Sequence, residues 1–128
     1  MSTPKVAARL VALCKERKNF DAMKELYSED MVSVEGVAGP GGSAETSGKA
    51  AVIQKSADWA AAHEIHSGNI EGPFLAGTKF GVIFDFDVTV KATGNRSALR
   101  ELAIYTVAGE EIVREEFFYG TGAGDLAR

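Results

Sequence analysis

Between Lys79 and Gly120 the chain alternates apolar and polar positions through three long runs. From Phe80 to Val90 one parity reads Phe80, Val82, Phe84, Phe86, Val88 and Val90, and the other Gly81, Ile83, Asp85, Asp87 and Thr89. Side chains alternate across a strand, so the first set faces an interior and the second a mixed surface. Thr93-Gly94-Asn95 supplies a turn, because Gly and Asn tolerate positive φ. The next run, Ser97 to Val107, places Leu99, Glu101, Ala103, Tyr105 and Val107 on one face, against Leu102, Ile104 and Thr106. The last, Ile112 to Tyr119, places Val113, Glu115, Phe117 and Tyr119 against Ile112, Arg114, Glu116 and Phe118. Both faces of these two strands carry apolar residues. Such a sheet needs its own helices on one side and a second subunit on the other.

Upstream the period changes to that of a helix. Thr3-Pro4 reads as a hydroxyl cap followed by proline in the first turn, and Val6, Leu10 and Leu13 with Ala7, Val11 and Cys14 form one stripe. Asn19 is expected to cap a short helix carrying Phe20, Met23, Leu26 and Tyr27. Met31 to Val37 alternates as a first strand, with Gly36 taken to face inward and Glu35 outward. Ala38 to Ser47, with Gly39-Pro40-Gly41-Gly42 within it, predicts a flexible loop at the rim of a pocket; it lacks the Lys-Ser/Thr ending of a phosphate loop. Ser47 is expected to cap a third helix, from Gly48 to about Ala62, burying Val52, Ile53, Ser56, Trp59 and Ala60, with His63 on its last turn. Glu64 to Glu71 reads as a second strand closed by Gly72-Pro73, and residues 121–128 as a loose tail after a single domain over residues 1–120. Helix, helix, strand, helix and a run of strands is an α+β arrangement: a curved, mostly antiparallel sheet wrapped around the long third helix. The open end of that cone would be a pocket.

Composition narrows the function classes. The 128 residues suffice for one core, and 45% hydrophobic with 25% charged residues is ordinary for a globular chain. A net charge of −4 without a basic cluster disfavours nucleic acid and anionic membranes as partners. Cys14 is the only cysteine, which fits a reducing compartment and reads as a small buried hydrophobe. Without a spanning run or a signal-peptide segment, the expected location is the cytoplasm.

Four stretches carry a family pattern: Leu26-Tyr27-Ser28-Glu29-Asp30 leading into Val34-Glu35-Gly36; Gly48-Lys49-Ala50-Ala51-Val52-Ile53; Glu101 to Val107; and Ile112 to Tyr119. In them the chain resembles the SnoaL-like branch of the nuclear transport factor 2-like superfamily, the cone fold that includes ketosteroid isomerase. The resemblance implies the fold; it leaves the reaction open, because this fold hosts enzymes, binding proteins and assembly domains. The isomerase's tuned carboxylates have no counterpart at matching positions: the base falls on Gly36, the carboxylic-acid donor on Ala103 and the tyrosine donor near Leu10. Steroid isomerisation by that apparatus is therefore not implied. SnoaL-type cyclases use an Asp and a His, for which no position-by-position match emerges.

The residues themselves nominate other groups. Glu101, Tyr105, Glu115 and Tyr119 share the interior parity, and two inward carboxyls at a diagonal of about 7–8 Å would raise one another's pKa. Tyr105 would donate to a developing oxyanion, a kit for proton transfer next to a carbonyl with neither metal nor cofactor. The register rests on Ala108-Gly109-Glu110: a three-residue loop turns Glu115 inward, a two-residue loop turns it to the surface. His63, four residues after Trp59, projects toward the pocket mouth as a further base, or is a hydrogen-bonded structural residue; with His66 three positions on it makes poor metal geometry. Asp85-Phe86-Asp87 reads as surface ion pairs. Trp59, Phe84, Phe86, Val88, Ala103, Phe117 and Tyr119 are the expected ligand walls. Three functions remain: a cofactor-free isomerase, cyclase or hydratase-like enzyme on a small organic molecule; a binding protein for an apolar ligand; and a dimeric interaction domain whose interior is filled.

Overall fold

The computed structural model describes residues 2–36 and 44–119. Val37, most of the Gly-Pro loop and the tail lie outside the described residues. Helices α1 (Thr3–Lys15) and α2 (Asn19–Leu26) lead into strand β1 (Tyr27–Val34). Strand β2 (Glu45–Ser47) and helix α3 (Lys49–Ala62) follow, then β3 (His63–Ala76), β4 (Lys79–Val90), β5 (Arg96–Ala108) and β6 (Glu111–Tyr119). The six strands form one sheet in the order β2-β1-β6-β5-β4-β3. All pairs are antiparallel except β1 with β6, which run parallel.

Several boundaries differ from the sequence reading. Tyr27 opens β1 instead of closing α2, because its ring is drawn into the core. His63 begins β3, which continues through a cis Gly72-Pro73 bond to Ala76. Glu45–Ser47, read as loop, pairs with Val32–Val34 as β2. The expected caps are also displaced: Ser2, Lys18 and Gly48 occupy the three N-cap positions, and none makes a side-chain cap hydrogen bond. The packing of these helices, not their caps, therefore fixes them.

The inner face of β4 is the predicted one: Phe80, Val82, Phe84 and Val88 are buried. Against it lies α1, through Val6, Ala7, Leu10, Leu13 and Cys14. The third helix was expected to be the centre of the cone, yet it buries only Val52. Burying one ring such as Phe80 contributes about 2–3 kcal/mol, and α1 brings more buried apolar side chains to the core than α3 does. No helix among the described residues is long and apolar enough to cross a membrane.

Register in the last hairpin comes from an irregularity. The turn is the two-residue form, Gly109-Glu110, with Gly109 at φ 62°. Val107 pairs with Ile112 and Ala108 with Glu111, but from Thr106 onward the partners shift by one, to Arg114, and Tyr105 faces Glu115. One extra residue in β6 is therefore accommodated as a bulge. It buries Ile112 where the alternation had placed Val113, and it returns Glu115 to the inner face despite the short turn.

Candidate functional site

Glu115 is the only charged residue among the described ones that is fully buried, at 0% exposure. Its carboxylate accepts from the Tyr27 hydroxyl through Oε1 and from Ser33 Oγ, 3.1 Å from Oε2. Lys55 Nζ donates to Ser33 Oγ at 2.5 Å and to Glu35 Oε1 at 2.6 Å, and Tyr119 donates to Glu35 Oε2 at 3.2 Å. A polar chain thus runs from the base of the cone to its half-exposed rim: Tyr27, Glu115, Ser33, Lys55, Glu35, Tyr119. Glu35 belongs to it, although the sequence reading had turned it outward. Met31 and Ser33 of β1 share one parity with Glu35 just beyond its end, and β1 lies directly beside β6, with Ser33 paired to Glu115.

Glu101 stands near this chain without joining it. It pairs with Phe84 on β4 and Tyr119 on β6, and its carboxylate accepts no hydrogen bond from a described residue. Burial pushes it up to about 7, helped by the negative charges of Glu35 and Glu115 and opposed by Lys55. Burial also pushes Glu115 up to about 7, against the Tyr27 bond, the Lys55 charge and the Ser33 bond. The two are not on the short diagonal expected from sequence. They sit four residues apart along the hairpin, about 13 Å at strand spacing. Glu115 has two hydroxyl donors that favour its anion, and Glu101 has none among the described residues.

Tyr105 lies opposite Glu115, 3% exposed, its ring stacked on Phe80 with centroids 4.9 Å apart. Its hydroxyl has no hydrogen-bond partner among the described residues. Burial, then Glu115, raises its pKa, so it stays a neutral donor. Ala103, between Glu101 and Tyr105 on the same face, contributes only a methyl group.

The remaining expected residues separate into two groups. Phe84, Val88 and Ala103 are buried; Trp59, Phe86, Phe117 and Tyr119 keep partial exposure. An aromatic row runs His63, Trp59, Phe86, Phe84, with successive centroids at 4.2, 6.4 and 5.8 Å. His63 ends that row, away from the carboxyls. Its Nδ1 lies 2.7 Å from the Trp59 carbonyl, which can only accept, so the proton sits on Nδ1. His66 reaches Thr89 Oγ1 at 2.7 Å. Asp85 and Asp87 pair with Arg100 and Arg96. Cys14 is buried and pushed up to about 12 by burial, so it is no nucleophile. No group of three or more metal-binding side chains occurs among the described residues.

Tyr27, Ser33, Glu35 and Lys55 were not nominated from sequence. Lys55 had a signal: it falls three residues after Val52 and four before Trp59, a charge inside an apolar stripe. Two hollows lie outside the cone. One, of about 360 Å³, is lined by Phe74, Ala76, Lys79, Phe80, Gly81, Leu102 and Ile104 and opens on the outer face of the sheet. The other, of about 320 Å³, runs across β3, β4 and β5 between Ser67 and Leu99.

Comparison with known proteins gives a consistent picture. A structure from Mesorhizobium loti, bearing the names SnoaL-like polyketide cyclase and carbohydrate phosphatase, is 39% identical. It superposes with a TM-score of 0.88, over 93% of this chain and 100% of that one. A Bacillus subtilis structure named as an isomerase is 19% identical, with a TM-score of 0.76 over 94% of this chain and 90% of the other. A nuclear transport factor 2-like protein from Burkholderia thailandensis is 16% identical, with a TM-score of 0.80 over 94% and 92%. These last two share the fold. No curated protein sequence matches. The model of the SnoaL-like domain matches residues 1–119, and the chain belongs to the SnoaL-like family.

Proposed function

We propose that this protein binds a small organic carbonyl compound inside the cone and moves a proton at the carbon next to the carbonyl, as a cofactor-free isomerase or cyclase. The observation that carries the reading is an interior carboxyl, Glu101, with no hydrogen-bond donor and a pKa raised to about 7, on the same face as a buried phenol without a partner. Near neutral pH a substantial fraction of Glu101 is ionised and still basic enough to take a carbon-bound proton. The electron pair left on carbon moves to the carbonyl oxygen, and the Tyr105 hydroxyl donates to the enolate. Glu101 then returns the proton to another carbon, or the enolate carbon attacks a second carbonyl, closing a ring, and the alkoxide formed there takes the proton from Glu101. The cyclase name borne by the M. loti relative supports this class of reaction; its second name, carbohydrate phosphatase, does not.

Deuterium exchange tests it without a known product. Small ketones and 1,3-dicarbonyl compounds are incubated with the protein in D2O, and loss of α-proton signal is followed by NMR. Glu101→Gln is expected to lower the exchange rate about 10²–10⁴-fold, and Tyr105→Phe about 10²-fold or more. Exchange no faster than in buffer, with any compound, rejects the catalytic reading. Saturable shifts in that case establish the second reading, a binding protein; the close burial of Phe84, Ala103 and Tyr105 speaks instead for the third, an interaction domain with a filled interior.

The same reading includes a second copy of the chain on the outer face. There Phe74 (54% exposed) and Phe118 (48%) flank Leu102 and Ile104 around the larger hollow, with both charge signs nearby in Lys79, Arg114 and Glu116. Sedimentation is expected to give a dimer at micromolar concentration, and Ile104→Glu a monomer. A wild-type monomer rejects this assignment. A reducing cytoplasm fits the buried thiol of Cys14.

A further inference from the structure

Lys55 is the only cation that bears on both Glu101 and Glu115 among the described residues. Its side chain leaves α3 on the face that Val52 anchors, passes the Phe117 ring at 5.6 Å, and ends between Ser33 and Glu35. An ammonium is a donor only, and a serine hydroxyl has a single hydrogen. With Lys55 occupying a lone pair of Ser33 Oγ, the Ser33 hydrogen must point elsewhere, and Glu115 Oε2 is the acceptor it meets.

We propose that Lys55 is a positioning residue that decides which carboxyl carries the working proton: by holding Ser33 and Glu35 together it aims the Ser33 hydroxyl at Glu115, keeps that carboxylate ionised, and leaves the exchangeable proton on Glu101. The inference rests on Glu101 as the working carboxyl, but it concerns where protons reside and stands apart from whether turnover occurs. The groups facing Glu115 are Tyr27 and Ser33 from β1, Glu35 just after it, Lys55 from α3, Glu101 and Tyr105 from β5, and Cys14 from α1. Of these, Tyr27, Ser33 and Lys55 favour the anion, and every one of the three except Tyr27 depends on where Lys55 is. Nothing comparable supports the anion of Glu101, which has the charge of Lys55 nearby but no donor.

The test follows the carboxyl carbons of ¹³C-labelled glutamate against pH in the full chain, with Glu101→Gln and Glu115→Gln assigning the signals. The wild type is expected to show two coupled titrations near neutrality, with Glu101 taking up its proton first as the pH falls. Lys55→Met is expected to raise the Glu115 midpoint by about one unit or more, since it removes a charge and loosens a donor, and to erase the order of uptake. Lys55→Arg, which keeps the charge and can still donate to Ser33, is expected to restore it. Ser33→Ala is expected to raise Glu115 while moving Glu101 much less. An unmoved Glu115 in Lys55→Met overturns the proposal. If that variant does not fold, an unmoved Glu115 in Ser33→Ala overturns it instead. Failure of α-proton exchange with these titrations intact removes the catalytic reading alone.

Discussion

Stability is expected to fall by a few kcal/mol as the pH rises from about 5 to about 8, the reverse of the usual acid weakness of a folded protein. Two carboxyls cause it. Glu101 and Glu115 titrate near 7 when folded and near the ordinary glutamate value when unfolded. Between about pH 4.5 and 7 the folded state therefore holds protons that the unfolded chain has released, and stability declines wherever the folded state binds more. The contribution is complete below the unfolded pKa and is lost as pH passes through the folded one. At about 1.4 kcal/mol per unit, Glu115 accounts for about 3 kcal/mol, and Glu101, which keeps some contact with water, for less. Glu25 and Asp87 are held low by Arg9 and Arg96 and act in the opposite sense, but only at more acid pH. Urea unfolding at a series of pH values measures the slope. Glu101→Gln should flatten it in part, leaving the share of Glu115. A stability that is level or rising between pH 5 and 7 contradicts the account.

Glu115→Ala is expected to be the most damaging single change in the site, costing about 3–5 kcal/mol. It opens a cavity in a fully buried position and strands the Tyr27 and Ser33 hydroxyls, while Lys55 keeps Glu35 as its counter-charge. Glu115→Gln preserves the volume and one acceptor oxygen, and the hydroxyls can rotate to meet the amide, so a loss of about 1 kcal/mol is expected. The comparison separates packing from chemistry. If Gln costs as much as Ala, the loss comes from the carboxylate itself and not from the cavity. Thermal or urea unfolding of both variants at about pH 6 decides it.

Where one physical rule governs, sequence and structure coincide. The Phe80–Val90 alternation announces its buried face because a strand has period two and one side must leave water. The same rule carries Glu101, Ala103 and Tyr105 to the interior. It stops at β6, where a single bulged residue changes the parity between Ile112 and Glu115, and no local composition marks it. Tyr27 was hidden by a different ambiguity: after Phe20, Met23 and Leu26 it continues a helical spacing, and only its place beside Ile112 makes it a strand residue. Ser33 and Glu35 could not be linked to Glu115 without knowing that the first strand runs parallel to the last. That pairing joins segments more than 80 positions apart, and period alone does not report it. Lys55 was legible in principle, as the one charge on an otherwise apolar helical stripe.

The bulge between Ile112 and Arg114 makes the final hairpin forgiving at its turn end and intolerant beyond Glu115. Removing Val113 would let Ile112, Arg114 and Glu115 follow one another in plain alternation, with Thr106 still opposite Arg114 and Tyr105 still opposite Glu115. Loss or gain of one residue beyond Glu115 would instead shift Phe117 and Tyr119 from their places opposite Ala103 and Glu101. Descendants of this chain can therefore lose one residue at the turn end of that strand and keep the same interior chemistry.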